Sequence, residues 1–234
     1  MFIMIDGIEG GGKSTIVEAW KKYLAGQNKS VFDLKKYLAD NGRYPNYEEV
    51  KPCDFIFSAE PTFTGIGKVI RDELIKNGTS YPEEAIAQAY SLDRLILYTK
   101  ILIPALKDNK HIIEDRGVAT SLCYQSLSGN LSFDWLSQLP GNALALEYRP
   151  DCLCIIKMSP ETAQKRLAIR YEKQDDVIFD KLDFQQKALA TDLSPAYQKL
   201  FTDRGTKLEY LNTDVEIDIM KQESIDFLKR ILAI

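Results

Sequence analysis

Short runs of β-type composition alternate along the chain with longer stretches whose apolar positions recur at helical spacing. The runs fall at residues 2–6, 54–59, 111–114, 152–158 and 207–212. The helical stretches fall at 13–26, 65–77, 82–107, 117–128, 159–172, 179–203 and 220–232, with Pro104 and Pro195 ending or kinking two of them. Phe2-Ile3-Met4-Ile5 and Cys152-Leu153-Cys154-Ile155-Ile156 are apolar at every position, as strands covered on both faces must be. The alternation predicts an α/β fold: a doubly wound parallel sheet of five strands, flanked by helices, with ligands at the strands' carboxyl ends. At 234 residues the chain suits one well-buried domain and is short for two. Residues 38–53 interrupt the pattern, and Asn41-Gly42, Pro45 and Pro52 punctuate them as a loop. So long a connection is either functional or a surface insertion.

The first apolar run leads into Gly7-Ile8-Glu9-Gly10-Gly11-Gly12-Lys13-Ser14-Thr15, a GxxxxGK[ST] match between a buried strand and a helix. Glycines permit positive φ, so successive backbone N–H groups can converge on an anion. The helix beginning near Lys13 points its positive end at the same place. Lys13 can reach the β- and γ-phosphates, and the Ser14 hydroxyl can ligate Mg²⁺. A carboxylate within such a loop repels phosphate unless a cation or hydroxyl donor intervenes. Glu9 therefore partners a metal-linked water or a sugar hydroxyl, or else it points into solvent.

Composition narrows the partners. A formal charge of −4 and a pI near 5.3 argue against general affinity for nucleic acid or anionic membranes. No apolar stretch approaches the length of a membrane span and no signal peptide is evident, so a cytoplasmic location is expected. The four cysteines form no CxxC, and Cys152 and Cys154 read as small buried hydrophobes. His111, the single histidine, opens a strand and reads as structural.

Three further groupings fall at expected strand ends or on the helix that follows. In His111-Ile112-Ile113-Glu114-Asp115-Arg116, an acid at the end of a strand near the phosphate loop suits Mg²⁺ and its waters, and Arg116 suits bidentate phosphate binding. Glu60-Pro61-Thr62 leaves another strand, and Arg71 follows, facing either an anion or solvent. Tyr90 and Arg94, four apart on a helix, share one face. An aromatic face beside a fan of donors suits a flat heterocycle, whereas such tyrosines also pack in cores.

In order and spacing these segments resemble the thymidylate kinases, a family of phosphate-loop nucleoside monophosphate kinases. The likeness runs through Asp6–Thr15, Glu60-Pro61-Thr62 with Ile66-Gly67 and Ile70-Arg71, and Leu92-Asp93-Arg94. It continues through Glu114-Asp115-Arg116 with Ser121, Tyr124 and Gln125, then Arg149-Pro150-Asp151, and ends at Ser159-Pro160-Glu161-Thr162 with Lys165-Arg166. The resemblance implies ATP and Mg²⁺, a dTMP acceptor, a homodimer through helices near 82–107, and a mobile lid at about 165–180. It implies that Glu9 lies by the sugar and metal, Tyr90 stacks on the pyrimidine, and Arg94 bonds its exocyclic oxygen. Arg116 would hold the acceptor phosphate, Ser121 would lie near the base edge, and Tyr124 near C2′. One branch of the family carries an arginine in the phosphate loop, where this chain has glycine (Gly10 or Gly11), so Arg166 or Arg170 of the lid is expected to supply the transition-state cation. Departures from the pattern include Gly117 after Asp115-Arg116, Thr62-Phe63-Thr64 after Glu60-Pro61, an acidic lid (Asp175, Asp176, Asp180), and about 20 residues inserted before Phe55. The expected reaction is transfer of the ATP γ-phosphoryl group to dTMP, giving dTDP. A deoxynucleoside kinase, with Glu60 as base toward a 5′-hydroxyl, is one alternative, and a nucleotide-binding regulatory protein is another.

Overall fold

All five expected runs pair in one parallel sheet, and a sixth strand joins them. The computed structural model describes residues 1–169, 179 and 181–233. Its strands are β1 (Phe2–Asp6), β2 (Val31–Asp33), β3 (Phe55–Ala59), β4 (His111–Asp115), β5 (Cys152–Lys157) and β6 (Lys207–Asn212), in the order β2-β3-β4-β1-β5-β6. Every pairing is parallel. The expected count of five is corrected to six, because β2 is a three-residue edge strand, half-buried throughout, with no apolar run to announce it.

Helices cover both faces: α1 (Lys13–Gly26), α2 (Leu34–Asn41), α3 (Tyr47–Val50), α4 (Gly65–Val69), α5 (Glu83–Leu97), α6 (Ile103–Lys107), α7 (Val118–Ser126), α8 (Phe133–Gln138), α9 (Pro140–Glu147), α10 (Pro160–Ile169), α11 (Leu182–Asp192), α12 (Pro195–Thr202) and α13 (Ile217–Leu232). The strand pleat divides the core. Phe2 and Met4 face one cluster with Tyr98, Leu122 and Leu153, while Ile3 and Ile5 face another with Trp20, Phe57 and Phe227. Trp20 stacks on Phe227 at 5.9 Å and donates its indole N–H to the Ser224 carbonyl, which fixes α1 against α13.

The helical expectations hold in part and need correction in part. The stretch 38–53 is not an irregular loop, since it contains the end of α2 and all of α3, with Leu38 and Val50 buried. Asp33 caps α2 by accepting from Lys36 N at 2.9 Å, and Asn46 with Glu49 forms a capping box on α3. The stretch 82–107 is helical as expected from Glu83 to Lys107: α5 passes through a wider helical turn at Tyr98–Leu102 into α6, where Pro104 has no N–H to continue the regular ladder. As expected, Pro195 interrupts the stretch 179–203: α11 ends at Asp192, and Ser194 caps α12. Helices α8 and α9 have no counterpart among the expected elements. Residues 170–178 and 180, which include Arg170, Lys173, Asp175, Asp176 and Asp180 of the expected lid, lie outside the described residues.

Candidate active site

Beyond Asp6 the chain turns through Gly7, Ile8, Glu9, Gly10, Gly11 and Gly12 into Lys13, Ser14 and Thr15 of α1. Gly12 is the N-cap and supplies no side-chain cap, so the first N–H groups of α1 face the loop. Gly10 has φ +75°, and a Cβ there would lie 2.5 Å from the Ala163 carbonyl oxygen on α10; both facts demand glycine. Lys13 Nζ donates to the carbonyls of Gly7 at 2.8 Å and Ile8 at 2.7 Å, folding over its own loop. Burial, then the charge of Arg116, push its pKa down to about 8. Asp6 Oδ1 accepts from Gly7 N at 2.8 Å and Thr120 Oγ1 at 2.6 Å, which pins the loop's first residue.

A cleft of about 510 Å³ opens beside the loop, large enough for a nucleotide. Glu9, Ser14, Glu60, Arg71, Tyr90, Arg94, Asp115, Arg116, Ser121 and Tyr124 all line it, so residues spread over more than a hundred positions converge there. At one end Arg94 is fully buried. Its Nε donates to Glu60 Oε1 at 3.2 Å, its Nη2 to Glu60 Oε2 and to Ser121 Oγ at 2.8 Å, and its Nη1 to Asn142 Oδ1. One remaining Nη1 N–H has no hydrogen-bond partner among the described residues. Burial raises the Glu60 pKa to about 7; Arg94 pulls it down and Asp93 pushes it up again. Asp93 accepts from Thr62 N and Oγ1 at 2.7 and 2.6 Å, and so braces the Glu60-Pro61-Thr62 turn against α5. Tyr90 stands one helical turn before Arg94, its ring in the cleft wall.

The other end carries less firmly held charge. Arg116 follows β4 with φ +70°, an uncommon conformation for a residue with a side chain. Its guanidinium pairs with Glu9 Oε1 at 2.5 Å, lies 3.7 Å from Asp6, donates to the Gly7 carbonyl at 3.3 Å and passes over the Tyr124 ring. Glu9 thus faces Arg116 rather than solvent. Burial would raise its pKa, but the charges of Arg116 and Lys13 outweigh that and hold it below the usual value. Arg71 donates to the Pro61 carbonyl and stacks on the Phe63 ring at 3.9 Å.

Ser14 and Asp115 border one small cavity, and Asp115 Oδ1 is buried without a hydrogen-bond partner among the described residues. A hydroxyl and an orphaned carboxylate oxygen suit Mg²⁺, which takes one or two carboxylates and completes its shell with phosphate and water. Among the described residues no group of three or more His, Cys, Asp or Glu is arranged to hold a metal ion by itself. Arg166, on α10, lies beside Gly12 and donates to the Val215 carbonyl at 2.8 Å. Thr120, Asn142 and Gln185 escape the sequence reading. Gln185 accepts from Glu9 N at 2.9 Å, and no local spacing links it to a residue 176 positions away.

A parallel sheet, a phosphate loop after its first strand, and a cleft of paired acids and arginines at the strand ends define a phosphate-loop nucleotide-binding protein of the kinase type. A family model described as thymidylate kinase matches residues 46–223. The chain is 26% identical to the thymidylate kinase of Clostridium novyi (strain NT), over 97% of this chain and 98% of that protein. It is 30% identical to the probable thymidylate kinase of Thermococcus onnurineus (strain NA1), over 98% and 100%, and 28% identical to the thymidylate kinase of Chlorobaculum parvum (strain DSM 263 / NCIMB 8327), over 81% and 80%. The chain belongs to the thymidylate kinase family.

Proposed function

We propose that this chain transfers the γ-phosphoryl group of ATP to the 5′-phosphate of dTMP, giving dTDP. One observation carries the reading: Lys13 at 2.8 Å and Arg116 at 3.3 Å bond the same carbonyl, that of Gly7. A cation suited to a donor phosphate and a cation suited to an acceptor phosphate therefore stand side by side. A phosphate acceptor has a second pKa near 6, is largely ionised at neutral pH and needs no strong base. Catalysis then rests on alignment and charge neutralisation.

In this reading Lys13 leaves the loop carbonyls for the donor's phosphates, and their negative charge keeps it protonated. Arg116 turns from Gly7 to the acceptor phosphate while Glu9 keeps its guanidinium aimed. Arg94 offers its remaining N–H to an exocyclic oxygen of the base, beside the Tyr90 ring. Ser121 stands near the base edge, and Tyr124, whose hydroxyl has no hydrogen-bond partner among the described residues, stands near C2′. Mg²⁺ held by Ser14 and Asp115, with Glu9 nearby, would neutralise phosphate charge. Arg166 and Arg170 remain candidates for a lid cation. The deoxynucleoside-kinase alternative is less well supported, because Glu60 is tied to Arg94 rather than presented to a hydroxyl. No described helix is long and apolar enough to cross a membrane, in keeping with a cytoplasmic enzyme. A homodimer through 82–107 would cover Leu92, which is 45% exposed on α5, and light scattering would test it.

A screen of nucleoside monophosphates and thymidine with ATP and Mg²⁺ tests the function. dTMP should be the best acceptor. Preference for thymidine, or for another monophosphate, would overturn the assignment.

A further inference from the structure

The strand β2 and the helices α2 and α3 stand outside the five-strand pattern, yet α2 reaches the phosphate end of the cleft. Lys35, in its first turn, borders the small cavity between Ser14 and Asp115. The same side chain lines the cleft that Arg71 and Arg116 share. Its Nζ stands 5.2 Å from the Phe63 ring, on which the Arg71 guanidinium also stacks. One aromatic ring thus seats two cations, one from each side of the Glu60-Pro61-Thr62 turn.

The mount is firm. Leu34 is fully buried and Leu38 nearly so, anchoring α2 to the core. Asp33, which caps α2, also pairs with Lys21 Nζ at 2.6 Å, and Lys21 lies on the helix that begins with Lys13 and Ser14. Thr64 Oγ1 donates to the Gly42 carbonyl at 2.6 Å and ties the far end of α2 to the turn before α4. The inserted helix is therefore joined both to the phosphate loop's own helix and to the acceptor wall.

We propose that Lys35 is a further catalytic residue, a cation that touches the phosphoryl group as it passes from donor to acceptor. The proposal rests on the phosphoryl-transfer reading above. In that step the bond from the γ-phosphorus to the β,γ-bridging oxygen breaks, and a bond to an acceptor phosphate oxygen forms. Lys35 keeps its proton throughout and offsets negative charge that Glu9 and Asp115 would otherwise intensify. A fixed donor of this kind is worth on the order of 10²–10³ in rate, because it needs no reorganisation as charge shifts.

The test compares wild type, Lys35→Ala, Lys35→Arg and, as a control on the exposed face of α2, Lys36→Ala. Steady-state rates are measured with ATP and every nucleoside monophosphate, and thermal melts are recorded alongside. Lys35→Ala should lower kcat roughly 10²-fold with KM for either substrate changed less than about threefold. Lys35→Arg should recover most of the loss, Lys36→Ala should match wild type, and all melts should agree. A kcat within about twofold of wild type for Lys35→Ala would overturn the proposal, as would a loss confined to KM. A lowered melting temperature that accounts for the loss would do the same. If wild type prefers an acceptor other than dTMP, the function assigned above falls, while the Lys35 comparison proceeds with that acceptor. If no acceptor turns over, the comparison uses the rate of ATP hydrolysis.

Discussion

The cleft's two ends hold their arginines differently. Arg94 is fully buried and is bonded by Glu60, Ser121 and Asn142, which come from three separate elements. Arg116, in a strained backbone conformation, shares its charge between Glu9 and the Gly7 carbonyl and is placed to exchange those partners for a phosphate. A flat base calls for a rigid template whose donors are already aimed. A phosphoryl group in transit calls for cations whose partners in the empty site are easily given up. The contrast explains why one cleft contains both a fully buried ion pair with one N–H left for a base and a lysine folded onto its own loop.

Breaking each end should therefore fail differently. The largest loss is expected from Lys13→Ala: on the order of 10³-fold or more in kcat in a coupled ATP-consumption assay, with the fold intact by circular dichroism. Near-normal turnover would remove the phosphate loop from catalysis. Arg94→Leu should strike stability instead, lowering it by about 3 kcal/mol in urea unfolding, because Glu60, Ser121 and Asn142 all lose their shared buried partner. Arg116→Ala should leave the unfolding midpoint nearly unchanged while kcat/KM falls. A melt as damaged as that of Arg94→Leu would erase the distinction between the two ends.

Titration adds a second measure, because Glu60 and Lys13 respond to pH with opposite signs. Glu60 has its pKa raised from 4.5 to about 7, so its contribution to stability is full below pH 4.5 and lost as pH rises through 7. Asp192, raised to about 8 by burial and then by Asp6, acts in the same direction. Lys13 has its pKa lowered from 10.5 to about 8, so its contribution is full above pH 10.5 and lost as pH falls through 8. In the ligand-free protein Glu60→Gln should flatten the decline in melting temperature between pH 5 and 7. Lys13→Met should flatten any rise between pH 8 and 10. Unchanged slopes would contradict these assignments. The smallest effect is expected from Thr64→Val, which removes the bond to the Gly42 carbonyl and should cost about 1 kcal/mol in the same unfolding assay. No change would mean that α2 does not depend on this tie.

Legibility in the sequence followed locality. The phosphate loop is one contiguous segment whose glycines and lysine have local reasons, so it could be read directly, as could strands β1 and β5, where every position but the last is apolar. The strand β2 could not, since an edge strand of three half-buried residues carries no periodic signal. Helix α2 hid because only Leu34 and Leu38 are buried within it, and the Asn41-Gly42 that ends it reads equally as a loop. Asn142 holds Arg94 from 48 positions away, a pairing that only the packing of α9 against α5 creates. Lys35 hid as well, because the strand that carries it to the sheet's carboxyl edge, β2, could not itself be read.

The most direct test of the two-ended cleft is a crystal structure with dTMP and a non-hydrolysable ATP analogue. The account predicts thymine against Tyr90 with an exocyclic oxygen on Arg94, and the 5′-phosphate on Arg116, next to the donor's terminal phosphate at Lys13. A dTMP bound in the reverse sense, with its phosphate at Arg94, or an Arg116 still paired to Gly7 with no nucleotide beside it, would contradict it.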